Sequence, residues 1–267
     1  MKYAINTFGI YLIGIVIFSI FFNESKFGIY NMDFWHDFLI NANASILDFL
    51  VIGVVLYYFE ASKQNKESIG ELLEDLQNYS IHSSIEMNIK KMKIIRKLNS
   101  KNVKKINSLR MKMDHITIKR IHFTDSELSG LDLTSSRLEE ATFTGCNIQA
   151  LILNNATLKN VVFTDCKIRN MKCIKAKLSN VKFIKCKLEG SDFSESSLIA
   201  CMLKGSDLNN VNYLKTDLRN GNIKDCTNIN IIKLTEAKNL NYVVCTEEQR
   251  RGIKQIKESV KFTELGN

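Results

Sequence analysis

Apolar positions along the chain fall into three successive regimes. The first is nearly continuous. Residues 3–22 (YAINTFGIYLIGIVIFSIFF) carry no charge and are broken only by Asn6, Thr7 and Ser19. A helix of that length, at about 1.5 Å per residue, matches the roughly 30 Å hydrocarbon core of a bilayer. A cleaved signal peptide is the competing reading, but the run is longer than such an apolar region and no small-x-small cleavage site follows Phe21-Phe22-Asn23-Glu24. A second stretch, 38–59 (FLINANASILDFLVIGVVLYYF), has Trp35 and Tyr57-Tyr58 where interfacial aromatics sit. The pattern therefore predicts a membrane anchor over 1–60 with two transmembrane helices, 3–22 and 38–59. Asn41, Asn43 and Asp48 interrupt the second. An ionised carboxylate at mid-span costs about 2.5–3.5 kcal/mol. These three polar residues read either as a pore or gating group or, the reading we favour, as a protonated Asp48 hydrogen-bonded to Asn or Ser of a neighbouring helix.

The second regime is helical. Apolar residues recur at three- and four-residue steps (Ile69, Leu72, Leu76, Tyr79, then Ile85, Ile89, Met92, Ile95), without Pro and with Gly70 alone. This predicts a helical neck over 61–110, with a break near Ser80, Ser83 and Ser84. An anchor with such a neck favours a homo-oligomer of unstated number.

The third regime has a period of five. Stepping by five from Met113 through Ile118, Phe123, Leu128 and onward to Leu218 and Ile223 gives 23 consecutive positions, every one apolar. The residue two before each is mostly compact, as at Ala141, Cys146, Ala156, Cys166, Cys186, Ser191 and Ser206, and the other three are largely polar. Neither a helix nor a flat strand accommodates this period. A four-sided coil does: one pentad per side, 20 residues per turn, coils stacked about 4.8 Å apart as neighbouring strands are. Like residues then stack in columns 20 apart: Phe123, Phe143, Phe163, Phe183, and also Cys146, Cys166, Cys186.

Charge sharpens this picture. The net +9 (37 Lys+Arg against 28 Asp+Glu) sits in two blocks, +11 over 90–120 and +8 over 159–188, while 1–60 sums to −3. The connector 23–34 has almost no positive charge, whereas Lys63, Lys66 and the larger block follow the second span. The positive-inside rule thus places a multi-pass protein in an inner (cytoplasmic) membrane with both termini cytoplasmic. All seven Cys lie after residue 145, in keeping with free thiols in a reducing compartment. The 90–120 block suits anionic lipid if the neck folds back, or nucleic acid if it projects; a solvated helix face is the plain alternative.

The small-x-(Leu/Phe)-x-x pattern, clearest at Ser191-Asp192-Phe193, Ser206-Asp207-Leu208 and Thr216-Asp217-Leu218, resembles the pentapeptide-repeat family. The resemblance implies a mainly β fold: a right-handed quadrilateral parallel β-helix over 111–245, preceded by the two transmembrane helices and the neck. It departs at Cys173, small for a ladder position, and after Ile223, where the phase slips at Asn228. Thr246 and Gln249 have capping-box spacing, so 246–267 is expected to open with a short helix closing the last coil.

Ladder residues are core, and the Cys column reads as packing, since no C-x-x-C pair accompanies it. Function therefore falls to the outward positions. Lys167, Lys172, Lys177, Lys182 and Lys187 occupy five successive positions just before the ladder residue, with Arg169 beside them. They predict a partner-binding belt, flanked by Glu127, Asp132, Glu139 and Glu140. Soluble members of the family that mimic DNA present acidic surfaces, and the belt has the opposite sign. His36, His82, His115 and His122 are scattered, and no P-loop, G-x-G-x-x-G or G-x-S-x-G occurs. No catalytic residue, metal ligand or cofactor is expected. Two functions remain: a membrane-anchored bacterial scaffold whose solenoid binds a protein or other macromolecule, or a membrane-disrupting effector of anti-phage defence with the solenoid as sensor.

Overall fold

A computed structural model describes residues 32–263 together with positions 9, 10, 13, 14 and 17. The chain divides into two units, Met1–Gly70 and Glu71–Asn267.

Helix α1, Met32–Tyr79, runs without interruption from before the second expected span into the expected neck. Among the described residues no helix is long and apolar enough to cross a membrane, so the expected pair of transmembrane helices is not supported. Most of 3–22 lies outside the described residues. Within 38–59, Asn41, Asn43 and Asp48 break the apolar run. Asn41 and Asp48 are exposed, the Asn41 carbonyl accepts the Ser45 hydroxyl at 2.8 Å, and the Asn43 side chain lies outside the described set.

In the second unit α1 ends where the serines predicted it. A turn over 80–84 leads to α2, Ile85–Ser100, whose N-cap Ser84 accepts the Met87 N–H at 3.2 Å. α2 covers the first coil. Ile94, Ile95 and Leu98 are buried on its inner face, and its polar side chains satisfy the coil's open backbone edge. Asn99 donates to the His122 carbonyl and accepts its N–H (2.9 and 2.7 Å). Arg96 donates to the Lys119 carbonyl (3.2 and 3.1 Å). Asn88 donates to the Asp114 carbonyl (2.9 Å). Lys91, fully buried, donates to the carbonyls of Ser80 (3.3 Å), His82 (2.6 Å) and Lys112. A solenoid end left bare would expose these groups. Part of the +11 block is therefore a lid rather than a free surface.

Pairing between coils starts at Lys104, whose carbonyl accepts the Thr124 N–H at 3.0 Å. From there the chain winds as a parallel β-solenoid. Two of its sides carry regular strands: β1 (Thr117–Lys119), β3 (Arg137–Glu139), β5 (Thr157–Lys159) and β7 (Lys177–Ser179) pair in that order, as do β2 (His122–Thr124), β4 (Thr142–Thr144), β6 (Val162–Thr164) and β8 (Lys182–Ile184). Each residue pairs with the one 20 further on, as Phe143 with Phe163. Isolated parallel bridges such as Lys167↔Lys187 and Lys172↔Asp192 continue the same register on the other two sides. The expected columns are the core: Phe123, Phe143, Phe163 and Phe183 stack with centroids 5.2, 4.7 and 4.9 Å apart. Cys173 is fully buried in its ladder position.

The compact inward residue has a second job. Ser136, Ser206 and Thr216 donate to the carbonyls of Met113, Phe183 and Phe193 at 2.7, 3.2 and 2.7 Å. In each case the acceptor is a ladder residue of the preceding coil. Cys166 and Cys186 point their thiols at the Phe143 and Phe163 carbonyls (3.4 and 3.5 Å). Ser, Thr and Cys recur there because they are small and can donate.

Every corner turns through the left-handed region. Each fifth residue from Arg110 to Asp225 has positive φ, and only four of these are Gly. Non-Gly residues there cost about 1–2 kcal/mol each, with Asn the best tolerated. Ala200 (φ 56°) shares its column with Asn160, Asn180 and Asn220, and Asn180 donates to Asn160 at 2.9 Å. Ala200→Asn is therefore expected to stabilise the fold by about 0.5–1 kcal/mol, read as a higher midpoint of chemical unfolding. A fall in the midpoint would contradict this account of the corners.

At the far end the register lengthens from 20 to 22, with bridges Asp217↔Asn239 and Asn222↔Val244. Asn228 (φ 55°) starts the slip, and a single-turn helix α3, Ile231–Thr235, replaces a pentad. Helix α4, Glu247–Ile256, closes the coil. Its capping box is complete: Thr246 accepts the Gln249 N–H at 3.3 Å and Gln249 accepts the Thr246 N–H at 3.0 Å.

Candidate functional site

The belt residues stand on the outward strand positions. Lys167, Lys172, Lys177 and Lys187 are exposed and Lys182 is half-buried. One pentad separates each from the next, so each lies on the next side of the coil, and only Lys167 and Lys187 share a side, in adjacent coils. The structure thus brings together the pair Lys167 and Lys187 rather than all five. No ion pair within 4.0 Å engages any of the five lysines among the described residues. Arg169 differs: its Nε lies 3.3 Å from Glu189.

The acidic flank is largely neutralised by its own neighbours. Glu139 meets Lys119 at 2.7 Å and also Arg137, and these two cations hold its pKa down at about 2. Glu140 pairs with Arg120 at 3.2 Å. Burial opposes ionisation of Glu127, but hydrogen bonds from Ser129 and Asn147, with the charge of Lys167, keep its carboxyl below the ordinary range. Asp132 accepts the Thr134 N–H and hydroxyl (2.9 and 2.6 Å).

Among the described residues the geometry assembles no metal-binding cluster: no three His, Cys, Asp or Glu side chains lie close enough to hold a metal ion. His115 pairs with its neighbour Asp114 (2.8 Å) and His122 with Thr142 (2.8 Å). Burial pushes the Cys201 thiol up to about 12 and those of Cys226 and Cys245 up to about 11, far from a reactive thiolate.

Sequence reasoning missed the N-terminal lid and its buried Lys91. The signal was present in the repeat itself. A solenoid needs closing at both ends, and α2 carries an inward Asn-Lys-Ile-Ile-Leu face directly before the first coil.

The pentad register, the stacked columns and the left-handed corners coincide with the region that known family models match. A model of the pentapeptide repeat region matches residues 116–184, and one of eight-copy pentapeptide repeats matches 176–212. Together the two matches span residues 116–212. A search of curated proteins finds no match. Among solved structures, a pentapeptide repeat protein of the Arabidopsis thaliana thylakoid lumen is 17% identical, covering 48% of this chain and 81% of its own (TM-score 0.33). The plasmid-mediated fluoroquinolone resistance protein QnrB1, in a trypsin-treated form, is 12% identical over 60% of this chain and 100% of its own (TM-score 0.28). Rfr23 of the cyanobacterium Cyanothece 51142 is 16% identical over 49% and 94% (TM-score 0.20).

Proposed function

We propose that this pentapeptide-repeat protein is a non-enzymatic scaffold whose solenoid binds an acidic segment of a partner protein through the lysine belt. Five lysines with no ion pair among the described residues, on successive sides of the middle coils, carry this reading. Unpaired surface cations on a rigid frame steer an anionic partner and set its register. A belt that turns the corners favours a flexible acidic segment over a flat, folded face.

The apolar segments 3–22 and 38–59 hold the scaffold at the cytoplasmic side of a bacterial membrane. Supporting this, α1 exposes a nearly unbroken apolar run, from Phe49 (45% exposed) through Leu56 (62%) to Phe59 (65%). An exposed apolar stretch of helix calls for a non-aqueous surrounding or a partner. The membrane-disrupting effector would act through the same segments, and no observation favours it over the scaffold.

Full-length protein in non-ionic detergent should bind a fluorescent poly-glutamate peptide with an affinity that falls as salt rises. Lys167→Glu/Lys177→Glu/Lys187→Glu is expected to weaken this binding at least tenfold. Unchanged anisotropy titrations would remove the belt as the site. Tighter, belt-dependent binding of a single-stranded oligonucleotide would replace the acidic protein with nucleic acid.

A further inference from the structure

A groove of about 600 Å³ opens where α2 meets the first coil, walled by Arg96, Asn99, Ser100, Lys119, Arg120 and His122. Its lining holds the cations Arg96, Lys119 and Arg120, of which Lys119 meets Glu139 at 2.7 Å and Arg120 meets Glu140 at 3.2 Å. The Arg96 bonds to the Lys119 carbonyl engage Nε and Nη2 and fix the guanidinium plane, leaving Nη1 for a ligand. His122 is oriented by Thr142 through Nδ1, which leaves Nε2. The Arg120 side chain is 76% exposed and its Glu140 partner 56% exposed, a pair that a stronger anion can displace. Planar guanidinium donors around a concavity suit a phosphate group.

The outward face of α2 continues this site. Steps of four, seven and four residues place Ile85, Ile89, Arg96 and Ser100 on one face, opposite the buried Asn88, Lys91, Ile95 and Leu98. Ile85 is 59% exposed and Ile89 37%, and Ile81 in the preceding turn is 63% exposed. Exposed Lys93 and Lys97 flank the stripe. An apolar stripe with cations beside it and a cation-lined groove at its end complements an anionic lipid surface.

We propose that this end of the protein docks on anionic phospholipid, the groove taking the headgroup phosphate and Ile81, Ile85 and Ile89 entering the interface. The groove shares no residue with the lysine belt.

Its test uses full-length protein in non-ionic detergent, titrated calorimetrically with three probes: dihexanoyl-phosphatidylglycerol below its micelle concentration, glycerol phosphate, and a single-stranded oligonucleotide. The short-chain lipid should bind at least tenfold more tightly than glycerol phosphate. Arg120→Gln, an exposed change that leaves the lid intact, should weaken both at least fivefold. Ile85→Ser/Ile89→Ser should weaken the lipid alone, whereas Lys167→Glu/Lys187→Glu should weaken neither. Equal affinity for lipid and glycerol phosphate would reassign the groove to a free phosphate ligand and overturn the membrane docking. Binding of the oligonucleotide alone, indifference to Arg120→Gln, or no binding of any probe would each overturn the proposal while leaving the belt untouched.

Discussion

Phe163→Ala is expected to lower the unfolding free energy by about 3–5 kcal/mol, the range for truncating a buried aromatic. Phe163 is fully buried between Phe143 and Phe183, nearly parallel to both at 12° and 4°. Its removal leaves a cavity in the middle of a column whose spacing is fixed by the backbone ladder above and below. The coils cannot close over it without breaking that ladder, so little of the loss is recovered. Aromatic pair terms of about 0.5–1.5 kcal/mol on each side fall within this range. Urea unfolding should show a lower midpoint with an unchanged slope. A loss below about 1 kcal/mol would show that the columns are not the cohesive element of the solenoid.

Lys91→Met is expected to cost about 2–4 kcal/mol even though it removes a buried charge. Two effects compete. Methionine matches the volume and lifts the penalty of burying an ammonium. Against that, the part-buried His82 and Lys112 carbonyls lose a charged donor, at about 1–3 kcal/mol each. The Ser80 carbonyl suffers less, because it also accepts the Lys112 N–H at 2.8 Å. The carbonyls win because more than one is orphaned.

The pH dependence separates these terms. Burial, reinforced by Lys112 and opposed by Asp114, lowers the Lys91 pKa from 10.5 to about 8. Between about pH 8 and 10.5 the unfolded chain therefore binds more protons than the folded one at this residue, and stability rises with pH across that window. Below pH 8 both states are protonated and the contribution is flat. The wild type should gain stability from pH 8 to 10 relative to Lys91→Met in parallel urea titrations. Equal slopes would place the ammonium in a less desolvated setting.

The solenoid was legible because its rule is local and repeats. One apolar residue in five, with a compact residue two before it, leaves a single side of a coil for each pentad. Every Phe and Leu of that rule lies in the core. The slip at Asn228 was equally readable, because a break in a period is as visible as the period. α2 was harder to place. Its three- and four-residue spacing announced a helix but not the surface it covers, and Lys91 carries the residue type least expected inside. The cue lay in the need for a second lid, which is a property of the whole coil. The belt was visible as a run of lysines, but its distribution over all sides follows only from the 20-residue turn. The groove joins Arg96 to Lys119, Arg120 and His122 across the lid and the first coil, a proximity no linear pattern contains. In the first unit, counting charges between apolar residues identified two apolar segments.

The constant offset between paired residues makes chain length itself a structural variable with a period. Excising 147–166 would join Cys146 to Lys167 and bring Phe143 beneath Phe183, with every later side chain still facing its original direction. Excising 155–159 alone would rotate all that follows by one side and set the phenylalanine column beneath the leucine column. Duplications and losses of whole turns are therefore nearly silent in this architecture, whereas a single lost pentad is not. Such a molecule changes its reach in steps of one coil, carrying its surface chemistry along unchanged.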